Sequence, residues 1–151
     1  MTRIVTIGRK HEAWIAAGLE RYQKRLQKPW TAEWVLLPHS ALDGPAARQE
    51  ESGRILSRLD TRDFVVLLDE TGELLDSPAL ARLCEQQFVA ARPVVFVIGG
   101  AYGVDERLHA RADRVLSLSH LVFPHQLVRL ILIEQLYRAQ SIASGGKYHH
   151  E

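Results

Sequence analysis

Apolar residues in this chain form short continuous runs that are separated by stretches with helical periodicity. Runs rich in β-branched and other apolar residues at 3–7, 34–37, 64–68, 94–98 and 115–118 predict strands. The runs at 64–68 and 94–98 do not alternate between apolar and polar positions, which is typical of strands buried on both faces of a parallel sheet. The pattern therefore predicts an α/β fold, in one domain over residues 1–151.

Helices are predicted between these strands. The predicted inner faces are Trp14, Gly18, Tyr22 and Leu26 in a helix over 11–27, and Ala46, Gly53, Leu56 and Leu59 in the next helix. Residues 69–72 predict a turn, and Ser77 followed by Pro78 predicts an N-cap with proline at the first helical position. Leu80, Leu83, Cys84 and Phe88 form the apolar face of that third helix. Asp105 predicts the cap of a short fourth helix.

The last predicted helix, over about 124–142, is apolar on nearly all sides. Such a helix is normally buried, which predicts that one face meets the sheet and another meets a second subunit. Glu134 and Arg138 are four residues apart in the favourable order and are expected to pair. Arg129 has no acidic residue four positions away on either side. Because an unpaired buried arginine is costly, we expect Arg129 to meet a carboxylate elsewhere or a bound anion.

Composition and charge are those of an ordinary globular protein, with 46% hydrophobic and 25% charged residues. No apolar stretch follows the opening residues and no apolar run is long enough to span a membrane, so we expect a cytoplasmic protein without a signal peptide. The single cysteine, Cys84, excludes an internal disulfide and is expected to be an inert core thiol.

Candidate chemistry is concentrated in residues 94–151. The strand at 94–98 ends in Gly99 and Gly100, where α/β sheets usually bind ligands. Phosphate-binding and hydrolase motifs are absent, so the glycines fit a ligand site and a tight turn equally well. In residues 116–125 an apolar strand gives way to a segment with hydroxyls, imidazoles and a proline, just before the last helix. This segment is either a functional loop or an ordinary connection in which Pro124 marks the start of the helix. His120 and His125 are five residues apart, which matches no common metal-ligand spacing, and we expect no metal.

Two further segments carry polar groups of interest. The tail at 147–151 holds an aromatic ring, two imidazoles, a carboxylate and a cation, and is interpreted either as a solvated end or as a functional segment. Residues 1–30 carry seven Lys or Arg against two Glu, whereas residues 31–90 carry five against eleven acidic residues. The cationic strip of this first segment is Arg9, Lys10, Arg21, Lys24, Arg25 and Lys28. It is either a solvated helix face or a surface that contacts RNA phosphates.

Three stretches together resemble one known family. They are FVIGGAYG at 96–103, LSLSHLVFPHQLVR at 116–129, and EQLYRA at 134–139 with the Tyr148-His149 tail. The sequence resembles the ribosomal large-subunit RNA methyltransferase H family, within the SPOUT class, along its full length. At position 150 that family usually has Arg or Lys, and His150 here weakens the case for a permanent phosphate contact.

The resemblance implies a parallel α/β sheet with a C-terminal trefoil knot, which general rules of topology would not predict. It also implies a homodimer and methyl transfer from S-adenosylmethionine to N3 of a pseudouridine in 23S rRNA of assembled ribosomes. The implied cofactor residues are Leu68, Gly99, Gly100, Leu118, Ser119, His120, Leu121, Val122 and Phe123, and the implied substrate-side catalytic residues are Tyr148, His149 and His150. The residues expected to contact RNA are Arg9, Lys10, Arg21, Arg25, Lys28 and Arg129.

Three alternatives are kept. A non-catalytic ribosome-binding or assembly factor on the same fold would bind the cofactor without turnover. A related SPOUT enzyme would methylate tRNA. A doubly wound nucleotide-binding module would need the phosphate motifs that this chain lacks.

Overall fold

Strands and helices alternate along residues 2–150, the part of the chain that the computed structural model describes. The strands are β1 (Thr2–Ile7), β2 (Ala32–Leu37), β3 (Phe64–Leu74), β4 (Val94–Ile98) and β5 (Arg114–Ser117), and the helices are α1 (Ala13–Gln23), α2 (Gly44–Leu56), α3 (Ser77–Val89), α4 (Glu106–Arg111) and α5 (His125–Ala143). The strands pair in the order β2-β1-β4-β3-β5, and every pair is parallel. The predicted parallel α/β sheet is confirmed, while the trefoil knot stays a prediction.

Helices cover both faces of the sheet. On one face, α1, α3 and α5 enclose a core that includes Leu19, Leu83 and Leu136. On the other face, α2 and α4 contribute Ile55 and Leu108 to a second core. All five residues of β4 are buried, which explains why this strand does not alternate between apolar and polar positions. No helix within residues 2–150 is long and apolar enough to cross a membrane.

The predicted inner faces of α1 and α2 are wrong at their first residues, Trp14 and Ala46, whereas Tyr22, Leu26, Leu56 and Leu59 do pack against the two cores. Ile15 and Leu19 are buried in α1, whereas Trp14 is 59% exposed. In α2 the buried residues are Ala47, Glu51, Ser52 and Ile55, while the predicted Ala46 is exposed. A strict spacing of four residues drifts around a helix that has 3.6 residues per turn, so the buried face alternates steps of three and four.

The predicted turn at 69–72 lies inside β3, which continues to Leu74. Leu68 and Glu73 both stand opposite Leu116 of β5, so the intervening residues form a bulge. The backbone N–H and the hydroxyl of Thr71 donate to Asp69 Oδ1 at 2.9 and 2.7 Å. The predicted turn therefore forms, but it lies within the bulge of a strand and does not end the strand.

Asp76, rather than the predicted Ser77, caps α3. Its Oδ1 accepts a hydrogen bond from the Ala79 N–H at 2.8 Å. The predicted cap of α4 is confirmed, since the Asp105 carboxylate accepts from the backbone of Arg107 and Leu108. Cys84 is buried in α3, and burial raises the pKa of its thiol to about 12, as expected for an inert core cysteine.

Helix α5 packs against α1, α3 and β4 of its own chain. Gly18 permits the close approach of α1, because a Cβ there would lie 2.9 Å from Leu130 Cδ1. The expected pair forms, with Arg138 Nη2 2.7 Å from Glu134 Oε1. Much of the apolar surface of α5 is thus covered within the chain, and its composition alone does not require a second subunit.

Arg129 of α5 is fully buried, and backbone carbonyls hold its guanidinium. Nη2 donates to the carbonyls of Ile7 and Gly8 at 2.9 and 3.1 Å, and Nη1 donates to that of Lys10 at 2.9 Å. Nη1 also lies 3.1 Å from His11 Nδ1. The prediction that Arg129 pairs with a carboxylate or a bound anion is therefore wrong. A side chain without exposed surface is also unavailable to RNA, so Arg129 holds the start of α5 against the end of β1.

Replacing Arg129 by methionine is expected to lower the free energy of unfolding by about 3 kcal/mol or more, because several buried carbonyls lose their donor together. Urea denaturation would show this as a lower midpoint at unchanged slope. Arg21→Met is the matched control, since Arg21 is exposed. Its free energy of unfolding should lie within about 0.5 kcal/mol of that of the wild type. Equal midpoints for the two variants would contradict the structural role of Arg129.

Candidate functional site

Two adjoining cavities lie where β3, β4 and β5 lead into their following segments. The glycine cavity has a volume of about 570 Å³ and is lined by residues that include Gly99, Gly100, Tyr102 and His125. The tail cavity has a volume of about 690 Å³ and is lined by residues that include Asp76, Ser77, Gln135 and His149. The two share Leu68, Ser117, Leu118 and Phe123. Both have the size of a site for a small organic molecule.

The glycine cavity brings together the predicted cofactor residues with one exception. Its lining includes Leu68, Gly99, Gly100, Leu118, Ser119, Leu121, Val122 and Phe123. His120 is exposed and does not line it. Strand ends that are distant in sequence thus meet at one edge of the sheet, as expected for a parallel α/β fold.

The glycines after β4 both make a tight turn and line the cavity. A Cβ at Gly99 would lie 2.9 Å from Val104 Cγ1, and one at Gly100 would lie 2.8 Å from Glu51 Oε1. Gly103 has φ +74°, and its N–H donates to the Gly100 carbonyl at 3.0 Å. The two interpretations of this segment are therefore compatible.

The loop at 118–123 leaves much of its backbone free. The Ser117 hydroxyl donates to the Ser119 carbonyl at 2.7 Å, and the Leu121 N–H donates to the Ser119 hydroxyl at 3.0 Å. Within residues 2–150, no hydrogen bond engages the backbone of Leu118, His120, Val122 or Phe123. Leu121 and Val122 are 71% and 77% exposed. Apolar side chains beside free backbone donors and acceptors suit a flat heterocycle with polar edges.

The described part of the tail is packed on α5, which favours a functional segment over a solvated end. The Tyr148 hydroxyl donates to Glu134 Oε1 at 3.2 Å, and the Arg138 guanidinium lies 4.8 Å from the centre of the Tyr148 ring. Burial, together with Tyr22 and Glu134, raises the pKa of Tyr148 to about 12, so the phenol remains a donor at neutral pH. Lys147 and His150 are exposed, and Glu151 lies outside the described residues.

His149 is held in one hydrogen-bonding state by Arg138. Its Nδ1 lies 3.1 Å from Arg138 Nη1. A guanidinium can only donate, so Nδ1 accepts and the ring proton of a neutral His149 sits on Nε2. This tautomer is assigned from the neighbouring donor. His149 lines the tail cavity and therefore offers it an N–H donor.

A histidine and carboxylate cluster beside the glycine cavity was not predicted. His125, the first residue of α5, lines this cavity, and its ring centre lies 6.3 Å from that of His39. His39 Nδ1 is 3.9 Å from Glu51 Oε2. Glu51 is 3% exposed; its Oε2 accepts from the Ser40 N–H at 2.9 Å, and its Oε1 has no partner within residues 2–150.

The protonation of His125 follows from its surroundings. Burial lowers its pKa, the charges of Arg129 and His39 lower it further, and Glu12 and Glu51 oppose them. At neutral pH the imidazole is therefore uncharged. The sequence signalled His125 only as an imidazole at a helix start, and nothing in the polar segment around Glu51 indicated a buried carboxylate.

The residues predicted to contact RNA are exposed, except Arg129. They are Arg9, Lys10, Arg21, Arg25 and Lys28. The predicted helix to residue 27 is too long, since α1 ends at Gln23, and Arg25 and Lys28 lie in the segment that follows. The residues of the cationic strip therefore lie before α1, on its last turn and in the segment that follows it. No group of three or more His, Cys, Asp or Glu within residues 2–150 is arranged to hold a metal ion.

Comparison with known proteins gives a consistent result. A family model described as "Predicted SPOUT methyltransferase" matches residues 1–149. The "Ribosomal RNA large subunit methyltransferase H" of Acidiphilium cryptum is 43% identical over 147 residues, which cover 97% of this chain and 92% of that protein. The protein of the same name from Geobacter metallireducens is 40% identical over 150 residues, covering 98% of this chain and 97% of its own length. The family match spans both cavities.

Proposed function

The chain belongs to the SPOUT methyltransferase family, and we propose that it transfers a methyl group from S-adenosylmethionine to N3 of a pseudouridine in 23S rRNA of assembled ribosomes. The observation that carries this proposal is nearly full-length similarity to proteins named as rRNA large-subunit methyltransferases. The glycine cavity, formed by the segments that match the family pattern, supports it. Action on ribosomes would locate the protein in the cytoplasm.

The glycine cavity fits the methyl donor in size and chemistry. Free backbone groups of the 118–123 loop would bind the polar edges of adenine, while Leu68 and Phe123 would pack against its faces. Gly99 and Gly100 leave room for the rest of the molecule, and Asp69 and Glu70 offer carboxylates that attract its positive charge. When bound, S-adenosylmethionine supplies an electrophilic methyl group on a sulfonium.

The target base is proposed to lie where the tail and glycine cavities adjoin, so that it can reach groups of both. The Nε2–H of His149 would donate to a carbonyl oxygen of the uracil ring, and the Arg138 contact fixes that ring in place. Tyr148 and Glu134 hold the tail on α5, and His150 is exposed beside them. Because methyl transfer requires in-line approach of N3, these residues would act mainly by positioning the base.

Labelled methyl transfer to ribosomes that lack the modification tests the proposal, with separate large subunits and free tRNA as parallel substrates. We expect label only in 23S rRNA and only in assembled ribosomes. Label in tRNA would indicate a related SPOUT enzyme. Cofactor binding without label in any substrate would indicate a non-catalytic binding factor.

Gly99→Val tests the cofactor residues. Its side chain would meet Val104 and fill part of the glycine cavity, so we expect at least a tenfold loss of S-adenosylmethionine affinity by calorimetry. Gly53→Ala is the control, because a Cβ at Gly53 has no neighbour closer than 3.8 Å. Unchanged affinity in a folded Gly99→Val protein would contradict the assignment.

The cationic strip is the proposed contact with RNA phosphates. Because each neutralised phosphate releases a counterion, Arg21→Gln should reduce the dependence of log affinity on log salt by about one. Arg58→Gln is the matched control, since Arg58 is exposed just beyond α2, on the opposite face of the sheet. If log affinity for ribosomes depends on log salt equally in both variants, the cationic strip is a solvated surface and not an RNA contact.

A homodimer is proposed as well. Trp14, Leu121 and Val122 are large apolar side chains left exposed in the single chain, which supports a covering partner. Light scattering should give a mass of about twice 17.1 kDa. A mass of one chain at micromolar concentration would contradict the dimer.

A further inference from the structure

His125 is a titratable group of the glycine cavity that neither cofactor binding nor tail positioning explains. We propose that His125 accepts the N3 proton of the target ring during methyl transfer, with Glu12 and Glu51 stabilising the charge that it gains. The inference rests on the proposed function and adds to it a proton acceptor.

The proposed reaction requires such an acceptor, since N3 of a uracil ring carries a hydrogen. As the N3–H bond breaks, its electron pair remains on N3 and forms the bond to the methyl carbon. The C–S bond breaks with its electron pair on sulfur, which becomes a neutral thioether. The proton passes to the imidazole of His125, which becomes an imidazolium and later releases the proton to solvent.

The position of His125 is set by contacts on the residues that follow it. Gln126 Oε1 accepts from the Glu12 N–H, and Gln126 Nε2 donates to the Lys10 carbonyl, both at 3.0 Å. Arg129, one turn further along, donates to the carbonyls at the end of β1. Two side chains therefore fix the first turn of α5 to residues 7–12, and His125 lines the cavity from a rigid support.

This position also coincides with a crevice that the strand order creates. β1 and β4 are neighbours, but the chain leaves β1 towards β2 and leaves β4 towards β5, on opposite sides. Ligand sites in α/β sheets form at such points. His39 follows β2, Gly100 follows β4 and His125 begins α5, so the three meet at this crevice beside the glycine cavity.

Other polar groups of the two cavities suit the task less well. Asp69, Glu70 and Asp76 are carboxylates, which are weaker bases than a neutral imidazole. The Tyr102 hydroxyl is a donor, and Asp43 lies 3.4 Å from it. Nδ1 of His149 is engaged by Arg138, so that ring offers a proton instead of accepting one. Among the described lining residues, His125 is left as the acceptor.

The groups around His125 favour a neutral ring before transfer and tolerate a charged ring after it. Arg129 on α5 and His39 before α2 disfavour the charge, whereas Glu12 before α1 and Glu51 on α2 favour it. Their combined effect with burial lowers the pKa of His125 below its ordinary value. Glu51, whose Oε1 has no hydrogen-bond partner within residues 2–150, is thus one of the two groups that favour the charged ring.

His125→Gln is the principal test, with single-turnover methyl transfer to ribosomes measured between pH 5 and 8. Wild-type rates should fall as pH decreases through the pKa of His125, because protonation removes the acceptor. The variant should be about 100-fold slower or more and lack this inflection. His39→Gln should keep the inflection but move it to higher pH, since it removes a charge that lowers the pKa of His125.

Two measurements separate this role from a structural one. The ¹⁵N NMR titration of the His125 ring in the free protein should give the pKa seen in the pH dependence of kcat/KM. Calorimetry should show S-adenosylmethionine affinity of His125→Gln within about threefold of wild type. If His125→Gln keeps the wild-type rates and pH profile, the role of His125 is wrong but the proposed function stands. The same holds if the NMR pKa of His125 differs from the kinetic pKa. No transfer by the wild type would overturn the proposed function and this inference together.

Discussion

The contact between Arg129 and the end of β1 fixes the geometry on which the rest of the site depends. Burying a guanidinium costs several kcal/mol unless its donors find acceptors. Here the chain turns sharply at Gly8, with φ +112°, so that the carbonyls of Ile7, Gly8 and Lys10 converge on one side chain. A Cβ at Gly8 would lie 2.8 Å from Arg129 Nη2. Glycine at position 8 therefore permits the sharp turn and leaves room for the Arg129 guanidinium.

Because Arg129 sets where α5 begins, it also sets the groups that α5 carries. The 118–123 loop must end at this helix start, and His125 occupies its first position. Further along, Glu134 and Arg138 receive Tyr148 and His149 of the tail. One rigid helix thus carries groups that line both cavities. A small chain can hold reacting groups in register in this way without a second domain.

The sequence predicted those parts of the molecule that depend on local patterns. Strands that are buried on both faces are recognisable as unbroken apolar runs, so β3, β4 and the parallel sheet were predictable. Trp14 was wrongly placed on the buried face of α1 because it matches a four-residue spacing that the helix does not keep. The acceptors of Arg129 were not predictable, since they lie about 120 residues away and are carbonyls that every residue possesses. Resemblance supplied the cofactor residues, but His39 and Glu51 belong to no motif quoted for it.

The two histidines that line the cavities show why residue type alone does not assign a chemical role. In His149, a guanidinium occupies Nδ1 and leaves an N–H to donate. In His125, burial and nearby positive charge keep the ring neutral, with a buried carboxylate close enough to stabilise a proton once it arrives. Both residues stand in motifs that the sequence displays, yet neighbours from other elements decide which ring donates and which accepts. That distinction separates a positioning contact from a proton acceptor, and only the assembled fold provides it.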